Sequence, residues 1–139
     1  YGLCCFGASP TVFNNLIQKN SSYGIYIEGI ASPLIQGNTF SGNSTGGIYA
    51  NVSGGAFSGT VVGNLFTGGT STSYGHMYGI FVNASSASLQ SGPLISSNTI
   101  TGCGSGIYYQ GNVRGTIGSG NIITSNSTGI QLYSGAQPP

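Results

Sequence analysis

A short motif of glycine followed by aliphatic or aromatic residues returns six times along this sequence. It begins at Gly2, Gly24, Gly47, Gly79, Gly106 and Gly129, with spacings of 22, 23, 32, 27 and 23 residues. A column of asparagines keeps the same period, with spacings of 23, 26, 34 and 23 residues, at Asn15, Asn38, Asn64, Asn98 and Asn121. Two markers with one period predict a chain of stacked repeats, in which each repeat contacts only its neighbours.

Each repeat contains three short β-prone runs separated by Gly, Asn, Ser or Pro, which predicts a coil of three short strands. Successive coils would stack at about 4.8 Å. In the motif at Gly24, the alternation of side chains places Ile25 and Ile27 inside and Tyr26 outside. The matching inner pairs are Ile48 and Ala50, Ile80 and Val82, Ile107 and Tyr109, and Ile130 and Leu132. The second strand contributes Val12, Ile35, Val61, Ile95 and Ile117, and the third contributes Ile17, Phe40, Phe66, Ile100 and Ile123.

The repeats predict one all-β domain over residues 1–139, a solenoid of about five coils of 22 to 34 residues. Loop insertions are predicted near residues 51–58, 68–78 and 83–92. The segments SPTVFNNLIQKN, SPLIQGNTFSGN and GPLISSNTITGC, with the GIY starts, resemble the pectin-lyase-like and NosD-like repeats of right-handed parallel β-helix proteins. The resemblance covers about Gly2 to Tyr133 and implies that fold. It implies no single activity, because such proteins include polysaccharide lyases, hydrolases, epimerases, phage tailspikes and adhesins.

The repeated asparagines are predicted to be structural. At a corner, asparagine tolerates left-handed backbone angles and hydrogen-bonds along the stack, which satisfies backbone groups that the turn leaves over. A second column, five residues later, also favours residues that accept such angles. Its members are Asn20, Asn43, Gly69, Cys103 and Asn126.

Charge is almost absent, since Lys19, Arg114 and Glu28 are the only charged side chains and the formal net charge is +1. Nucleic-acid binding needs a basic cluster, and a membrane span needs roughly 18 to 20 apolar residues; neither occurs. Lyases of the resembling fold hold Ca²⁺ with several carboxylates, and its hydrolases use paired acids. With one carboxylate, and with His76 and Met77 in an insertion that offers no partner ligands, we predict no enzyme, no catalytic residue, no metal and no cofactor.

Outward positions suggest surface roles. An aromatic row consists of Tyr26, Tyr49, Phe81 and Tyr108. Two interpretations stay open for it, namely stacking that strengthens the solenoid and a platform for sugar rings or another chain. An outward hydroxyl row on the third strand consists of Ser41, Thr67, Thr101 and Thr124. Such a row is also compatible with the ordering of water seen in ice-binding solenoids.

Five N-glycosylation sequons occur, at Asn20, Asn43, Asn51, Asn83 and Asn126. Attached glycans would keep a nearly uncharged surface soluble and imply an exported protein, so we predict an extracellular or cell-surface location. Cys4 and Cys103 lie several coils apart, beyond the reach of a disulfide within one chain, which leaves an intermolecular bond through either thiol open. Cys5 falls in an inner column and is predicted to be a core residue.

Neither end of the repeats carries a capping pattern, because Gly2 is already in register and a short tail follows the last motif. Solenoid ends without caps present unpaired strand edges. We therefore expect copies of the chain to stack head to tail into an extracellular filament or surface fibre. The alternatives are a carbohydrate-binding β-helix module and a fragment of a larger secreted or cell-surface protein. A lyase-like enzyme and an ice-binding protein have less support. The expected partners are further copies of the chain, with polysaccharide or attached glycans as alternatives.

Overall fold

The computed structural model describes residues 1–52, 56–68, 77–85 and 89–133. Within these ranges the chain forms sixteen β-strands and no helix. The strands of successive coils lie side by side and parallel in three sheets. The predicted all-β parallel solenoid, with about five coils and three strands per coil, is therefore confirmed.

Each of the five coils contributes one strand to each sheet, and the strand that follows the fifth coil adds a sixth strand to the first sheet. The first sheet contains β1 (Leu3–Phe6), β4 (Tyr23–Glu28), β7 (Gly46–Asn51), β10 (Tyr78–Ala84), β13 (Ser105–Gly111) and β16 (Thr128–Tyr133). The second contains β2 (Thr11–Phe13), β5 (Leu34–Gln36), β8 (Thr60–Val62), β11 (Gln90–Ser96) and β14 (Val113–Ile117). The third contains β3 (Leu16–Gln18), β6 (Thr39–Ser41), β9 (Leu65–Thr67), β12 (Thr99–Thr101) and β15 (Ile122–Thr124).

The strand register confirms the predicted inner columns. Ile25 pairs with Leu3 on one side and Ile48 on the other. In the second and third sheets, Ile35 and Phe40 lie between the equivalent residues of the neighbouring coils. These side chains are fully buried, and Phe40 stacks on Phe66 with ring centroids 4.6 Å apart. Burying each such side chain contributes roughly 1.5–3 kcal/mol, so the columns form the core.

Close packing across the coil requires the glycine of every motif except the last, where a Cβ on Gly129 would lie 3.5 Å from its nearest neighbour. A Cβ on Gly24 would lie 2.9 Å from both the Phe40 ring and the backbone oxygen of Gly47. A Cβ on Gly106 would lie 2.6 Å from the backbone oxygen of Gly129. Real Cβ atoms do not approach backbone this closely, so the glycine column marks where the first sheet meets the third.

The predicted insertions contribute more structure than loops would. Val52 and Phe57, inside the 51–58 insertion, are fully buried, and Phe57 bridges to Ala31. At the 83–92 insertion, β10 continues to Ala84 and β11 already begins at Gln90. Most of the 68–78 insertion, residues 69–76, lies outside the described residues. The first of these insertions therefore adds core packing as well as length.

Candidate functional site

The repeated asparagines form one continuous hydrogen-bonded ladder through the solenoid. The Oδ1 atoms of Asn38, Asn64, Asn98 and Asn121 each accept from the backbone N–H of the preceding ladder member, at 2.9–3.0 Å. In return, each of these side-chain amides donates to a backbone carbonyl of the preceding coil at 2.8–3.0 Å. Asn38, Asn64 and Asn98 are buried, so every coil is tied to the next by polar contacts inside the core.

The left-handed backbone position, however, is not the one that the sequence predicted. It is occupied by the residue before each ladder asparagine, namely Asn14, Gly37, Gly63, Ser97 and Gly120, with φ between 55° and 78°. The ladder asparagines themselves are not left-handed. The physical reason is that two adjacent residues have different roles: the chain turns at the first, and the second directs its side-chain amide along the stack.

The asparagines of the second column also hydrogen-bond along the stack. Three of the five sequon asparagines belong to this column. The amide nitrogens of Asn20, Asn43 and Asn126 donate to Asn43 Oδ1, Ile17 O and Ile100 O at 2.8–3.0 Å. Asn43 is 0 % exposed. A glycan is attached through this same nitrogen, so the folded coil cannot carry one at Asn43 and would lose a ladder contact at the other two. The glycosylation prediction is therefore corrected at Asn43, whereas at the half-buried Asn20 and Asn126 it stays a prediction. Gly69, another member of this column, lies outside the described residues.

The two remaining sequon asparagines lie on the outer face of the first sheet. Asn51 and Asn83 are half-buried and occupy one outward row with Glu28 and Gln110. Asn83 Nδ2 donates to Tyr49 Oη at 3.3 Å. Glycosylation at these two positions stays a prediction, and their amides also form a polar border to the row beside them.

That neighbouring row is the predicted aromatic row, and the structure places its four members in contact. The ring centroids of Tyr26 and Tyr49 are 5.5 Å apart, those of Tyr49 and Phe81 4.9 Å, and those of Phe81 and Tyr108 4.8 Å. All three pairs are tilted by 44–51°, a geometry that favours aromatic attraction. Tyr26 Oη donates to the Glu28 carboxylate at 2.9 Å. Stacking within the sheet is therefore present, and all four side chains remain half-buried.

Two further tyrosines join this row between its members and were missed by the sequence analysis, and Tyr1 contacts Tyr26 at its N-terminal end with ring centroids 4.8 Å apart. Tyr23 stacks on Tyr49 with centroids 5.0 Å apart, and Tyr78 stacks on Tyr108 at 5.2 Å. Each immediately precedes a motif glycine, where the chain enters the first sheet. Burial, and then the nearby Tyr78, raises the pKa of Tyr23 above its ordinary value. We call the six rings the aromatic surface: Tyr23, Tyr26, Tyr49, Tyr78, Phe81 and Tyr108.

The N-terminal end of the solenoid presents an open face. Leu3, Val12 and Ile17 line a concavity of ≈ 510 Å³ there, together with Asn15 and Asn20. The strands β1, β2 and β3 are the edge strands of their sheets at this end, among the described residues. We call this surface the N-terminal face; the first members of the three core columns line it, with Leu3 and Ile17 partly buried and Val12 8 % exposed.

The C-terminal end also exposes core columns. Ile130 and Leu132 continue the columns of Ile107 and Tyr109. They are nevertheless 46 % and 47 % exposed, whereas those two neighbours are fully buried. With Ile117 and Ile123, which are only partly buried, they form what we call the C-terminal face. Among the described residues, the three strands that end the sheets here pair on one side only.

The three charged side chains lie in different parts of the solenoid. Glu28 binds the Tyr26 hydroxyl, Lys19 is exposed in a turn with φ 56°, and Arg114 projects outward from β14. Met77 is exposed, and His76 lies outside the described residues. Within the described ranges, no three His, Cys, Asp or Glu residues cluster as metal ligands.

The cysteines divide into one exposed and two buried thiols. Cys4 is exposed on β1, whereas Cys5 faces the core as predicted. Cys103 is only 3 % exposed, its Sγ contacts Thr101 O, and burial raises its pKa to about 11. The prediction of an intermolecular disulfide through Cys103 is therefore corrected, because its sulfur is inaccessible and protonated at neutral pH. The exposed Cys4 remains the candidate.

The predicted hydroxyl row lies in register on the third sheet. Two of its members already bond neighbouring coils, since Thr67 Oγ1 donates to Phe40 O at 3.3 Å and Ser41 Oγ to Gln18 Oε1 at 3.4 Å. The adjacent outward row interrupts its threonines with Leu65 and Ile122. A continuous two-row hydroxyl array is therefore not formed.

Three parallel sheets, stacked core columns and a buried asparagine ladder define a parallel β-solenoid. The family described as "Right handed beta helix region" matches residues 1–138, and the chain belongs to this family. No curated protein and no solved structure matches the chain significantly. No helix in the described part of the chain is long and apolar enough to span a membrane.

Proposed function

We propose that this chain is a non-enzymatic, extracellular structural subunit that stacks head to tail into a filament or surface fibre. The observation that carries the proposal is the pair of end faces, where the edge strands of all three sheets pair on one side only among the described residues. The N-terminal face offers Leu3, Val12 and Ile17, and the C-terminal face offers the equivalent column members.

Pairing of β1 of one copy with β16 of the next would continue the first sheet. Covering Ile130 and Leu132, each about half exposed, contributes about 1 kcal/mol apiece at the usual value for apolar burial. Parallel pairing would also satisfy the unpaired N–H and C=O groups of the edge strands, which otherwise template association. A formal net charge of +1 adds little repulsion between successive subunits. Contacts of this open, head-to-tail kind propagate into fibres.

The scarcity of ionisable groups supports a non-enzymatic role. The sequence holds one carboxylate, Glu28, and it accepts a hydrogen bond from Tyr26. Acid–base hydrolysis needs two carboxyl groups, and Ca²⁺ binding needs several oxygen ligands. A location outside the cell suits the two outward sequons at Asn51 and Asn83.

Electron microscopy and analytical ultracentrifugation of the purified protein test the proposal. We expect mass that grows with concentration and fibres one solenoid wide. Leu132→Lys places an ammonium group on the C-terminal face and should stop growth, because an unpaired charge buried at the joint is costly. Arg114, which projects from the side of the solenoid, offers the matched control, and Arg114→Lys should leave fibres intact. Monodisperse particles of a single chain at every concentration would disprove stacking.

Carbohydrate binding is a second candidate, favoured by the aromatic surface beside its amide row. Ring faces stack on sugars, while the half-buried amides of Asn83 and Gln110 lie beside the rings in the next outward row. A polysaccharide pull-down tests it, with Tyr26, Tyr49 and Tyr108 replaced together by alanine. Phe13→Ala, an exposed ring on the second sheet, is the control. Equal retention of the triple variant and the wild-type protein would exclude this candidate.

A further inference from the structure

Tyr78 and Tyr108, two members of the aromatic surface, form a pair of contacting phenol rings. Their ring centroids are 5.2 Å apart, and the ring planes differ by only 14°. Both side chains are half-buried, so part of each remains accessible to solvent. Tyr78 begins β10, whereas Tyr108 lies in β13, the neighbouring strand of the first sheet. The ring contact therefore joins two successive coils.

Phe81 and the paired backbone hold these two rings in place. The Phe81 ring centroid lies 4.8 Å from that of Tyr78 and 4.8 Å from that of Tyr108, with tilts of 39° and 44°. Phe81 is also the backbone partner of Tyr108 in the parallel pairing of β10 with β13. Groups that a fold already holds together react with each other far faster than groups that must first meet. The two phenols are therefore placed to react with each other before they react with another molecule.

We propose that Tyr78 and Tyr108 form a dityrosine crosslink when the protein meets a one-electron oxidant, namely hydrogen peroxide used by a haem peroxidase. Each phenol first loses one electron and its hydroxyl proton, which gives a phenoxyl radical. The two radicals join through a carbon–carbon bond between ring carbons ortho to the hydroxyls. Each of these carbons then releases its proton, and each phenolic oxygen takes one up. In total, each ring loses one hydrogen atom, and one peroxide is reduced to two waters.

The product is a covalent tie between the fourth and fifth coils. The three cysteines of the chain are free thiols, so the coils are held together by packing and hydrogen bonds alone. A crosslink between residues 78 and 108 closes a loop of the chain, and loop closure stabilises mainly by restricting the unfolded state. The inference goes beyond the proposed stacking and does not depend on it. It uses the proposed extracellular location only as the place where the oxidant is met.

Two other phenols lie near the pair and are the competing partners. Tyr23 is near Tyr78, but it is only 9 % exposed and stacks on Tyr49 instead. Tyr133 is near Tyr108 and is 56 % exposed. Among the described residues, Tyr133 makes no ring contact. If ring contact directs the coupling, Tyr78 and Tyr108 join; if exposure directs it, Tyr133 is the preferred partner.

Treatment of the purified chain with hydrogen peroxide and a haem peroxidase tests the inference. Cys4→Ser serves as the background, because the exposed thiol would otherwise reduce phenoxyl radicals. We expect the blue fluorescence of dityrosine and, after pepsin digestion, linked peptides that join Tyr78 to Tyr108. In an equal mixture of isotopically labelled and unlabelled chains, both halves of each linked peptide should carry the same label. Linked peptides that mix the labels, or that join other tyrosines in preference, would overturn the inference.

Phenylalanine variants separate ring contact from exposure. Tyr78→Phe and Tyr108→Phe keep a ring but remove a phenol, so each should lose this linked peptide while circular dichroism stays unchanged. Tyr133→Phe is the matched control and should retain it. The yield should also be at least roughly tenfold higher from the folded chain than from the chain unfolded in urea. Equal yields from folded and unfolded protein would show that the fold does not direct the coupling.

Thermal unfolding tests the consequence for stability. The crosslinked protein should unfold at a temperature higher by roughly 10 °C, whereas Tyr108→Phe treated with the same oxidant should show no such rise. An unchanged unfolding temperature of the crosslinked protein would refute the tie between coils. None of these results bears on filament formation, which analytical ultracentrifugation of the untreated protein decides separately, so either proposal can fail without the other.

Discussion

Replacing Asn64 with alanine tests how much the asparagine ladder stabilises the solenoid. Its Oδ1 accepts from the Asn38 N–H at 2.9 Å, and its Nδ2 donates to Ile35 O at 2.9 Å. All three residues are buried. Alanine removes the partner of both backbone groups, and a buried polar group left unpaired costs about 1–3 kcal/mol. We therefore expect the free energy of unfolding to fall by about 3 kcal/mol, a large share of the roughly 5–15 kcal/mol typical of a domain.

The matched control is Asn15→Ala, at the exposed beginning of the same ladder. Its amide donates to Asn38 Oδ1 at 3.1 Å, but water reaches this position. Because solvent replaces the lost partner, the expected cost is about 1 kcal/mol or less. The two substitutions change the same side chain, so their difference isolates the effect of burial.

Urea unfolding followed by circular dichroism measures both variants. The Leu132→Lys background keeps stacking from adding to the apparent stability. An unchanged dependence on urea would indicate that the folded and unfolded states retain their compactness. If Asn64→Ala costs no more than Asn15→Ala, the buried ladder is not a main source of stability, and this reasoning fails.

Three further predictions concern packing, a buried hydroxyl and the thiols. Gly47→Ala forces a Cβ to 2.7 Å from a backbone oxygen and against a core phenylalanine, so calorimetry should show that the free energy of unfolding falls by about 3 kcal/mol or more. Gly129→Ala, whose Cβ would have 3.5 Å of room, should cost under about 1 kcal/mol. Equal costs would contradict the packing argument. The Tyr109 hydroxyl is buried without a partner, so phenylalanine should stabilise by about 1 kcal/mol. Burial also raises the Tyr109 pKa, so the folded state holds its proton longer and stability declines as pH rises above about 10; phenylalanine should reduce that decline, and an unchanged alkaline titration would refute this. A thiol reagent at pH 8 should label Cys4 at once and Cys103 only after unfolding, and rapid native labelling of both would show that the coil opens locally.

The core columns were predictable because each coil repeats the same packing problem. Ile25, Ile35 and Phe40 each recur with equivalents in every neighbouring coil, so alignment of the repeats reveals which positions face inward. The asparagine ladder was predictable for the same reason. A regular period converts sequence position directly into a neighbour in space, since equivalent residues lie about 4.8 Å apart.

Features that occur once, or depend on another sheet, were not predictable in this way. Phe57 fills the core from an insertion that has no equivalent in other coils, so no alignment marks it as inward. Tyr109 was correctly placed in an inner column, but its lack of a partner depends on what the second sheet presents near Gly115. The left-handed positions did leave a signal, because Asn14 and Gly37 belong to a column of residues that tolerate such angles. The conspicuous asparagine one residue later obscured it.

Asn15, at the N-terminal end of the ladder, both stabilises the fold and presents an unpaired acceptor. Asn15 uses its N–H and amide nitrogen to bond Asn38, which leaves its Oδ1 directed away from the chain. In every interior coil the equivalent oxygen is satisfied by the coil before it. Among the described residues, the ladder therefore ends in unpaired acceptors at one end and in unpaired donors at the other, because every interior member uses both.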